Sequence, residues 1–103
     1  MYLVVFRNRK RADMDASAYA ADAAAMETLA AAQPGFRSVK SFVADDGEVV
    51  TISEWDSEAA AKAWGHHPDH AAVQARGVQG YYEQYTLIGC DQPAVTTFER
   101  KPA

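Results

Sequence analysis

Residues 51–85 read TISEWDSEAAAKAWGHHPDHAAVQARGVQGYYEQY, and this stretch decides the fold because a strand, two short helices and a second strand follow one another in it. The first strand ends at Trp55, and Ser57 is typical of a residue that caps a helix N-terminus. Pro68 favours the first turn of a further helix, which we expect Gly77 to end. The break between the helices places a group of histidines at their junction.

The residues on either side of this stretch predict the remaining elements. Tyr2–Asn8 is rich in β-branched and aromatic residues, which is typical of a strand. Asp15 or Ser17 can cap an alanine-rich helix that runs to about Ala32 and ends at Pro34-Gly35. One more strand is predicted at approximately residues 36–44, and a turn at residues 45–48 joins it to the strand that ends at Trp55. The two strands already described cover approximately residues 49–55 and 81–90, which gives four strands in all.

The order of these elements, β-α-β-β-α-β, predicts the fold class. It is typical of an α+β protein with the ferredoxin-like split βαβ arrangement, in which a four-stranded antiparallel sheet carries helices on one face. We assign residues 1–92 to this domain. Pro93 breaks the last strand, so residues 93–103 form a C-terminal extension, either a short strand or an extended tail, that we expect to contact a partner subunit.

The length and charge of the chain restrict its partners. A domain of 103 residues buries only about 60 to 70% of the surface of its unfolded chain. We therefore expect a homodimer, whose interface would bury additional surface. The chain has 10 Lys and Arg against 14 Asp and Glu, a net charge of −4, which argues against a nucleic-acid partner. The single cysteine and the lack of a long apolar segment predict a cytoplasmic protein that does not associate with membranes.

The motifs within residues 51–85 resemble those of the antibiotic biosynthesis monooxygenase (ABM) family. The resemblance covers roughly residues 2 to 90 and implies a dimeric α+β barrel, in which two sheets pack face to face. The positions that match the family pattern are Trp55, Ser57-Glu58-Ala59-Ala60, Trp64, His67-Pro68-Asp69-His70, Ala72, Gly77 and Tyr81-Tyr82.

Three residues are candidates for catalysis, namely Asn8, Trp64 and His70, and we expect them to converge on one cleft between the helices and the sheet. The flat face of Trp64 suits an aromatic ligand, and the resemblance implies that it borders a cleft; alternatively it anchors its helix in the core. An imidazole titrates near neutrality, so His70 is a candidate general base. The Asn8 amide can hold a substrate oxygen, or it can lie exposed where the first strand ends.

Five further residues are candidates for substrate binding: Trp55, His67, Gln74, Tyr81 and Tyr85. Strand alternation predicts Tyr81 and Tyr85 on the same face of the last strand. Trp55 also fits the core or a subunit interface, and His67 also fits a cap at the helix junction. We expect no metal, because a proline interrupts the histidines and no second ligand cluster is present.

Two enzymatic hypotheses and one non-enzymatic hypothesis follow from the resemblance. The first is a cofactor-independent monooxygenase that oxidises an electron-rich aromatic or quinol-type substrate with O2. The second is haem binding or degradation: haem-degrading relatives have an Asn-Arg pair that Asn8-Arg9 matches, but Gln74 stands where they have the histidine ligand. The third is a non-catalytic dimer that binds a small apolar ligand.

Overall fold

The computed structural model describes residues 1–102, which contain four strands, three α-helices and a π-helical turn at Gly77–Tyr81. Within these residues, no helix combines the length and the apolar character needed to span a lipid bilayer. In chain order the strands and α-helices are β1 Tyr2–Lys10, α1 Ala16–Ala31, β2 Phe36–Val43, β3 Val49–Trp55, α2 Glu58–Gly65, α3 Pro68–Arg76 and β4 Tyr82–Asp91.

The four strands form one antiparallel sheet in the order β2-β3-β1-β4. The first strand is central, because Tyr2 is paired with Trp55 on one side and with Asp91 on the other. At the other end of β1, Asn8 is paired with Tyr85. This arrangement confirms the predicted α+β, ferredoxin-like fold with a four-stranded antiparallel sheet.

The helices begin where the sequence places polar caps. Asp15, rather than Ser17, caps α1, since its carboxylate accepts the backbone N–H of Ala18 at 3.0 Å. Ser57 caps α2 by accepting the N–H of Ala60 at 3.1 Å. A cap of this type stabilises a helix by about 1 kcal/mol, so the short α2 has a defined starting point and a fixed direction.

Helices α1 and α2 contact the sheet on the same side, which we call the helix face. Trp64 of α2 stacks on Trp55 of β3 with ring centroids 6.4 Å apart. At the other end, Lys10 of β1 lies 4.7 Å from the ring centroid of Tyr19 in α1. Because side chains alternate along a strand, Asn8 lies on this face with Lys10.

The π-helical turn changes the position predicted for Tyr81. Helix α3 ends at Arg76 with Gly77 as its C-cap, as predicted, but a π-helical turn then continues from Gly77 through Tyr81 before β4 begins at Tyr82. A side chain on Gly77 would meet the ring of Tyr82 at 2.5 Å, so glycine lets this ring pack against the turn. Tyr81 is not a residue of β4, and its predicted grouping with Tyr85 on one strand face is wrong.

A β-bulge brings a different tyrosine onto the helix face. The register between β1 and β4 shifts between Arg9 and Lys10, and Lys10 is paired with Tyr82. One extra residue in β4 reverses the alternation beyond it. The rings of Tyr82 and Tyr85 consequently both lie against Phe6, with centroids 5.4 and 5.6 Å from it.

The opposite face of the sheet, which we call the outer face, is apolar. Val5, paired with both Ile52 and Ile88, lies at its centre. Ile88 and Phe42 are largely exposed on it. After β4, residues 93–102, which we call the tail, contain neither helix nor strand, and Phe98 in the tail is 79% exposed.

Candidate active site

A stack of three rings joins β3, α2 and α3 at one end of the helix face. Trp55 is only 1% exposed, and its indole N–H donates to Ser53 Oγ at 3.1 Å. Trp64 lies over Trp55 at an interplanar angle of 24°. The ring of His70 in turn stacks on Trp64, with centroids 4.2 Å apart and an angle of 10°. The structure thus places Trp64 and His70 in direct contact, with Trp55 as the buried base of the stack.

The protonation state of His70 follows from its hydrogen bond. Its Nδ1 lies 3.0 Å from the carbonyl oxygen of Trp64. A carbonyl oxygen can only accept, so Nδ1 carries the hydrogen and Nε2 keeps a free lone pair. Burial lowers the pKa of His70, the bond to Trp64 opposes this, and nearby His67 lowers the pKa further. His70 is therefore neutral near pH 7, with Nε2 able to take up a proton.

The other two histidines lie at the junction of α2 and α3. His67 caps α3, since its Nδ1 accepts the backbone N–H of Asp69 at 3.2 Å, and its ring lies 5.8 Å from that of Trp64. His66 is exposed at the end of α2. Within residues 1–102, no three His, Cys, Asp or Glu side chains are arranged to hold a metal ion.

Asn8 lies at the opposite end of the helix face. It is 2% exposed, so it is not the solvent-exposed strand end that one interpretation of the sequence suggested. Its Oδ1 accepts a hydrogen bond from Nζ of Lys10. The Lys10 ammonium also lies over the rings of Tyr19 and Tyr82, at 4.7 and 5.3 Å from their centroids. Because the Asn8 oxygen already accepts the hydrogen bond from Lys10, Asn8 has only its amide N–H donors left to bind a ligand.

The two ends of the helix face are well separated. From Tyr2, which is paired with Trp55, the extended strand covers about 20 Å before it reaches Asn8. Helix α3 runs between the two ends and rises about 10 Å from His70 to Gly77. Asn8 therefore lies apart from the contact between Trp64 and His70, and a ligand that touches both ends must be long.

The remaining predicted binding residues have different surroundings. Tyr85 is 52% exposed on the helix face, directly opposite Asn8. Gln74 is exposed on α3. Tyr81 is buried, and its hydroxyl donates to the carboxylate of Asp22 at 2.7 Å. Among Tyr85, Gln74 and Tyr81, it is Tyr85 that presents a ring to the open part of the helix face.

An ion pair and a tyrosine hydroxyl tie α1 to the end of α3. Two guanidinium nitrogens of Arg76 donate to the carboxylate of Asp22, each at 2.9 Å, and Tyr81 donates to the same carboxylate. The bonds from Arg76, and then the bond from Tyr81, lower the pKa of Asp22 to about 2. We call Asp22, Arg76 and Tyr81 the α1–α3 clamp. It fixes the spacing of the two helices beside the helix face.

Sequence reasoning missed the neighbours of Asn8. Lys10 follows two positions later and shares its face, but the strand was predicted to end at Asn8. Nothing in the sequence singles out Tyr19 of α1. Alternation predicts Tyr82 on the face opposite Tyr85, and this is wrong, because Tyr82 reaches the helix face through a bulge that alternation does not reveal.

A groove of about 430 Å³ lies on the far side of Trp64, between α2 and the turn that follows α1. Its polar side chains are engaged in structural bonds. Asp56 accepts a hydrogen bond from Arg37 at 2.6 Å, and Ser57 caps α2. The amide of Gln33 donates to a backbone carbonyl of α1. The groove therefore offers mainly apolar surface, and we place the chemistry on the helix face.

The fold and the position of these residues define a member of the antibiotic biosynthesis monooxygenase family, to which the chain belongs. The family model matches residues 1–76, which hold β1 and all three α-helices. The uncharacterised protein YqjZ of Bacillus subtilis (strain 168) is 38% identical over 86 residues, which cover 84% of this chain and 74% of that protein. These matches confirm the family resemblance, and they support a monooxygenase-like function in general terms.

Solved structures share the fold at low sequence identity. Rv0793 from Mycobacterium tuberculosis is 23% identical, with a TM-score of 0.79 over 93% of this chain and 98% of that one. A protein from Deinococcus radiodurans, named provisionally as an antibiotic biosynthesis monooxygenase, is 9% identical, with a TM-score of 0.81 over 97% and 100% of the two chains. At such identities the likeness establishes the fold alone.

Proposed function

We propose that the protein is a cofactor-independent monooxygenase that oxidises an electron-rich aromatic or quinol-type substrate with O2. The observation that supports this proposal is the contact between Trp64 and His70. A neutral imidazole with a free Nε2 is held at fixed orientation against a large aromatic face, so a flat substrate beside Trp64 would lie near a base.

In this reaction the protein supplies a base and an aromatic surface, and the substrate supplies the electrons. Nε2 of His70 removes a proton from an activated C–H or a phenolic O–H group. The resulting carbanion reduces O2. For an anthrone-type CH2 group, one oxygen atom enters as the carbonyl and the other leaves as water, so CH2 and O2 give C=O and H2O without an external reductant. A pocket that excludes water protects the carbanion from protonation.

The length of the helix face favours a polycyclic substrate. With one end at the edge of the Trp64–His70 stack, such a molecule would extend along this face towards the amide donors of Asn8. Tyr85 and Leu87, which are 52% and 61% exposed, lie on the helix face of β4 and would contact its edge. Asn8 would then orient the substrate by donating a hydrogen bond to an oxygen remote from the reacting carbon.

Oxygen uptake with anthrone as substrate tests the base assignment. A general base contributes about 10²- to 10⁴-fold to a rate, so His70→Gln should lower turnover by that order. Glutamine keeps a donor for the Trp64 carbonyl but cannot take up the proton. His66→Gln is the matched control, since His66 is exposed at the end of α2, and it should leave turnover unchanged. Full turnover by a folded His70→Gln variant would overturn the assignment.

Haem is the cofactor of the second hypothesis. The position that carries the iron ligand in haem-degrading relatives is Gln74, an exposed carboxamide on α3, so the residues do not fit haem by that route. His70 could offer only Nε2, and its ring lies flat on Trp64. A Soret shift on adding haemin, lost in His70→Gln, would favour haem binding over the proposed reaction. Saturable binding of anthrone without oxygen uptake would instead favour a non-catalytic binding protein.

A further inference from the structure

The half-buried ammonium of Lys10 contacts side chains of β1, α1 and β4. Lys10 ends β1 at the bulge, donates to Asn8 Oδ1, and lies between the rings of Tyr19 and Tyr82. Within residues 1–102, six other cationic side chains form salt bridges, and none of these bridges involves Lys10. Asp22 lies on α1, the helix that carries Tyr19, but its carboxylate is already bound by Arg76 and Tyr81 in the clamp.

The groups that contact the Lys10 ammonium in the described part of the chain are the neutral amide of Asn8 and two phenol rings. Burial raises the pKa of Tyr19, and it raises that of Tyr82 to about 12, so both phenols stay protonated at neutral pH. Burial also lowers the pKa of Lys10 itself, in the direction expected for a cation partly removed from water. An ammonium has three donors, of which Asn8 takes one. Lys10 is half-buried, and a ligand anion beside it would give its charge a partner.

We propose that Lys10 and Asn8 form a binding site for an anionic oxygen carried on an aromatic ligand. Lys10 supplies the positive charge, and the Asn8 amide supplies neutral N–H donors beside it. The aromatic part of the ligand would rest on the adjoining stretch of β4. There Tyr85 is paired with Asn8 and Leu87 with Phe6, and both β4 side chains are more than half exposed.

This site gives the substrate of the proposed reaction a charge as well as a shape. The anion site rests on the proposed function, because that function places the substrate on the helix face. Lys10 and His70 lie at opposite ends of this face. A phenolate or carboxylate bound at Lys10 would orient a long substrate with its reacting carbon towards His70. The site itself requires no reaction, so it can be tested through binding alone.

The probe is para-nitrophenol, whose phenolate absorbs visible light and whose phenol does not. A pH titration of the probe, with and without excess protein, gives the pKa of the bound probe and of the free probe. The difference between the two gives the ratio of the affinities of the protein for the phenolate and the phenol. Wild-type protein should bind the phenolate at least about tenfold more tightly than the phenol, which lowers the pH at which the bound probe ionises by about one unit. Lys10→Met should abolish this preference, and Lys10→Arg should keep most of it.

Lys40→Met is the matched control. Lys40 also lies over an aromatic ring, 5.4 Å from the centroid of Phe42, but on the outer face of the sheet. This variant should keep the wild-type preference. Equal binding of both probe forms by wild-type protein, no binding of either form, or an undiminished preference in folded Lys10→Met would each overturn the proposal.

A second measurement does not depend on the folding of the variant. The neutral ether para-nitroanisole has nearly the same shape as the phenolate, and wild-type protein should bind it at least about tenfold more weakly. Equal affinity would contradict a charged site. If the probe binds as expected while His70→Gln retains full turnover, the base assignment fails and the anion site stands. If turnover falls in His70→Gln but the probe shows no charge preference, the anion site fails alone.

Discussion

His70 links the chemistry of the site to the stability of the protein. Burial against Trp64 lowers the pKa of its imidazole below the usual value of about 6.5. In the unfolded chain the same group takes up a proton at higher pH than in the native state. The unfolded state therefore binds more protons as the pH falls through about 6.5, and the free energy of unfolding decreases in that range.

Urea unfolding at several pH values measures this dependence. Wild-type protein should lose stability as the pH falls from 7 to about 5. His70→Gln should lose less over the same range, because glutamine does not titrate and can still donate to the Trp64 carbonyl. Parallel curves for the two proteins would show that His70 has the same pKa in the folded and unfolded states.

The same protonation would remove the proposed base, so turnover should decline over this acidic range in wild-type protein.

At the scale of elements, the α1–α3 clamp depends on a single carboxylate, because all three of its hydrogen bonds end on Asp22. Its carboxylate, Asp22, has a pKa of about 2, below the usual value of 3.8, because Arg76 and Tyr81 donate to it. A carboxyl group whose pKa is lowered by folding stabilises the folded state at pH values above its usual pKa. This contribution to the free energy of unfolding is lost as the pH falls from about 4 towards 2.

Asp22→Asn should lower the thermal midpoint at pH 7, since the charge-assisted bonds of the clamp are lost. As the pH falls towards 2, wild-type protein loses the same bonds and the two midpoints should converge. Asp13→Asn is the control, because Asp13 forms a two-bond pair with Arg11 that is exposed to solvent and local in sequence. A midpoint difference that stays constant with pH would contradict the role of the Asp22 charge.

The elements themselves were largely predictable from the sequence, and their exceptions have local causes. Caps at Asp15 and Ser17 were both considered, and hydrogen bonding selects Asp15. The contact of Trp64 with His70 follows from their place on adjacent short helices. The bulge after Arg9 and the π-helical turn were not predictable, because both depend on how β4 meets β1 and not on composition. These two irregularities determine which tyrosines reach the helix face.

At the scale of the whole molecule, the outer face has no cover within residues 1–102. Phe42 and Ile88 remain 48% and 44% exposed on it. Apolar patches of this kind usually mark an interface, and a second copy of the same sheet would be self-complementary about a two-fold axis. We infer that the protein is a homodimer. Light scattering at micromolar concentration should give the mass of two chains, and a monomer would contradict the inference.

The tail should contribute to that dimer. Phe98 and Val95 are exposed on it, at 79% and 62%, and it forms no strand in the isolated chain. Deleting residues 93–103 should therefore raise the dissociation constant of the dimer. Replacing Phe98 and Val95 together by serine should have a similar effect if their apolar surface is responsible. An unchanged dissociation constant in both variants would rule out this role.

The central position of β1 also affects the order in which the chain can fold. Of the four strands, β1 is synthesised before the others, and it pairs with β4, which follows them, through contacts such as that between Tyr2 and Asp91. Pairings so distant in sequence close slowly, because the loop entropy must be lost before they form. The hairpin of β2 and β3 can form early, whereas β1 keeps one open edge until β4 has emerged from the ribosome. A nascent chain that stalls before Asp91 would thus expose an apolar strand edge and would depend on chaperones.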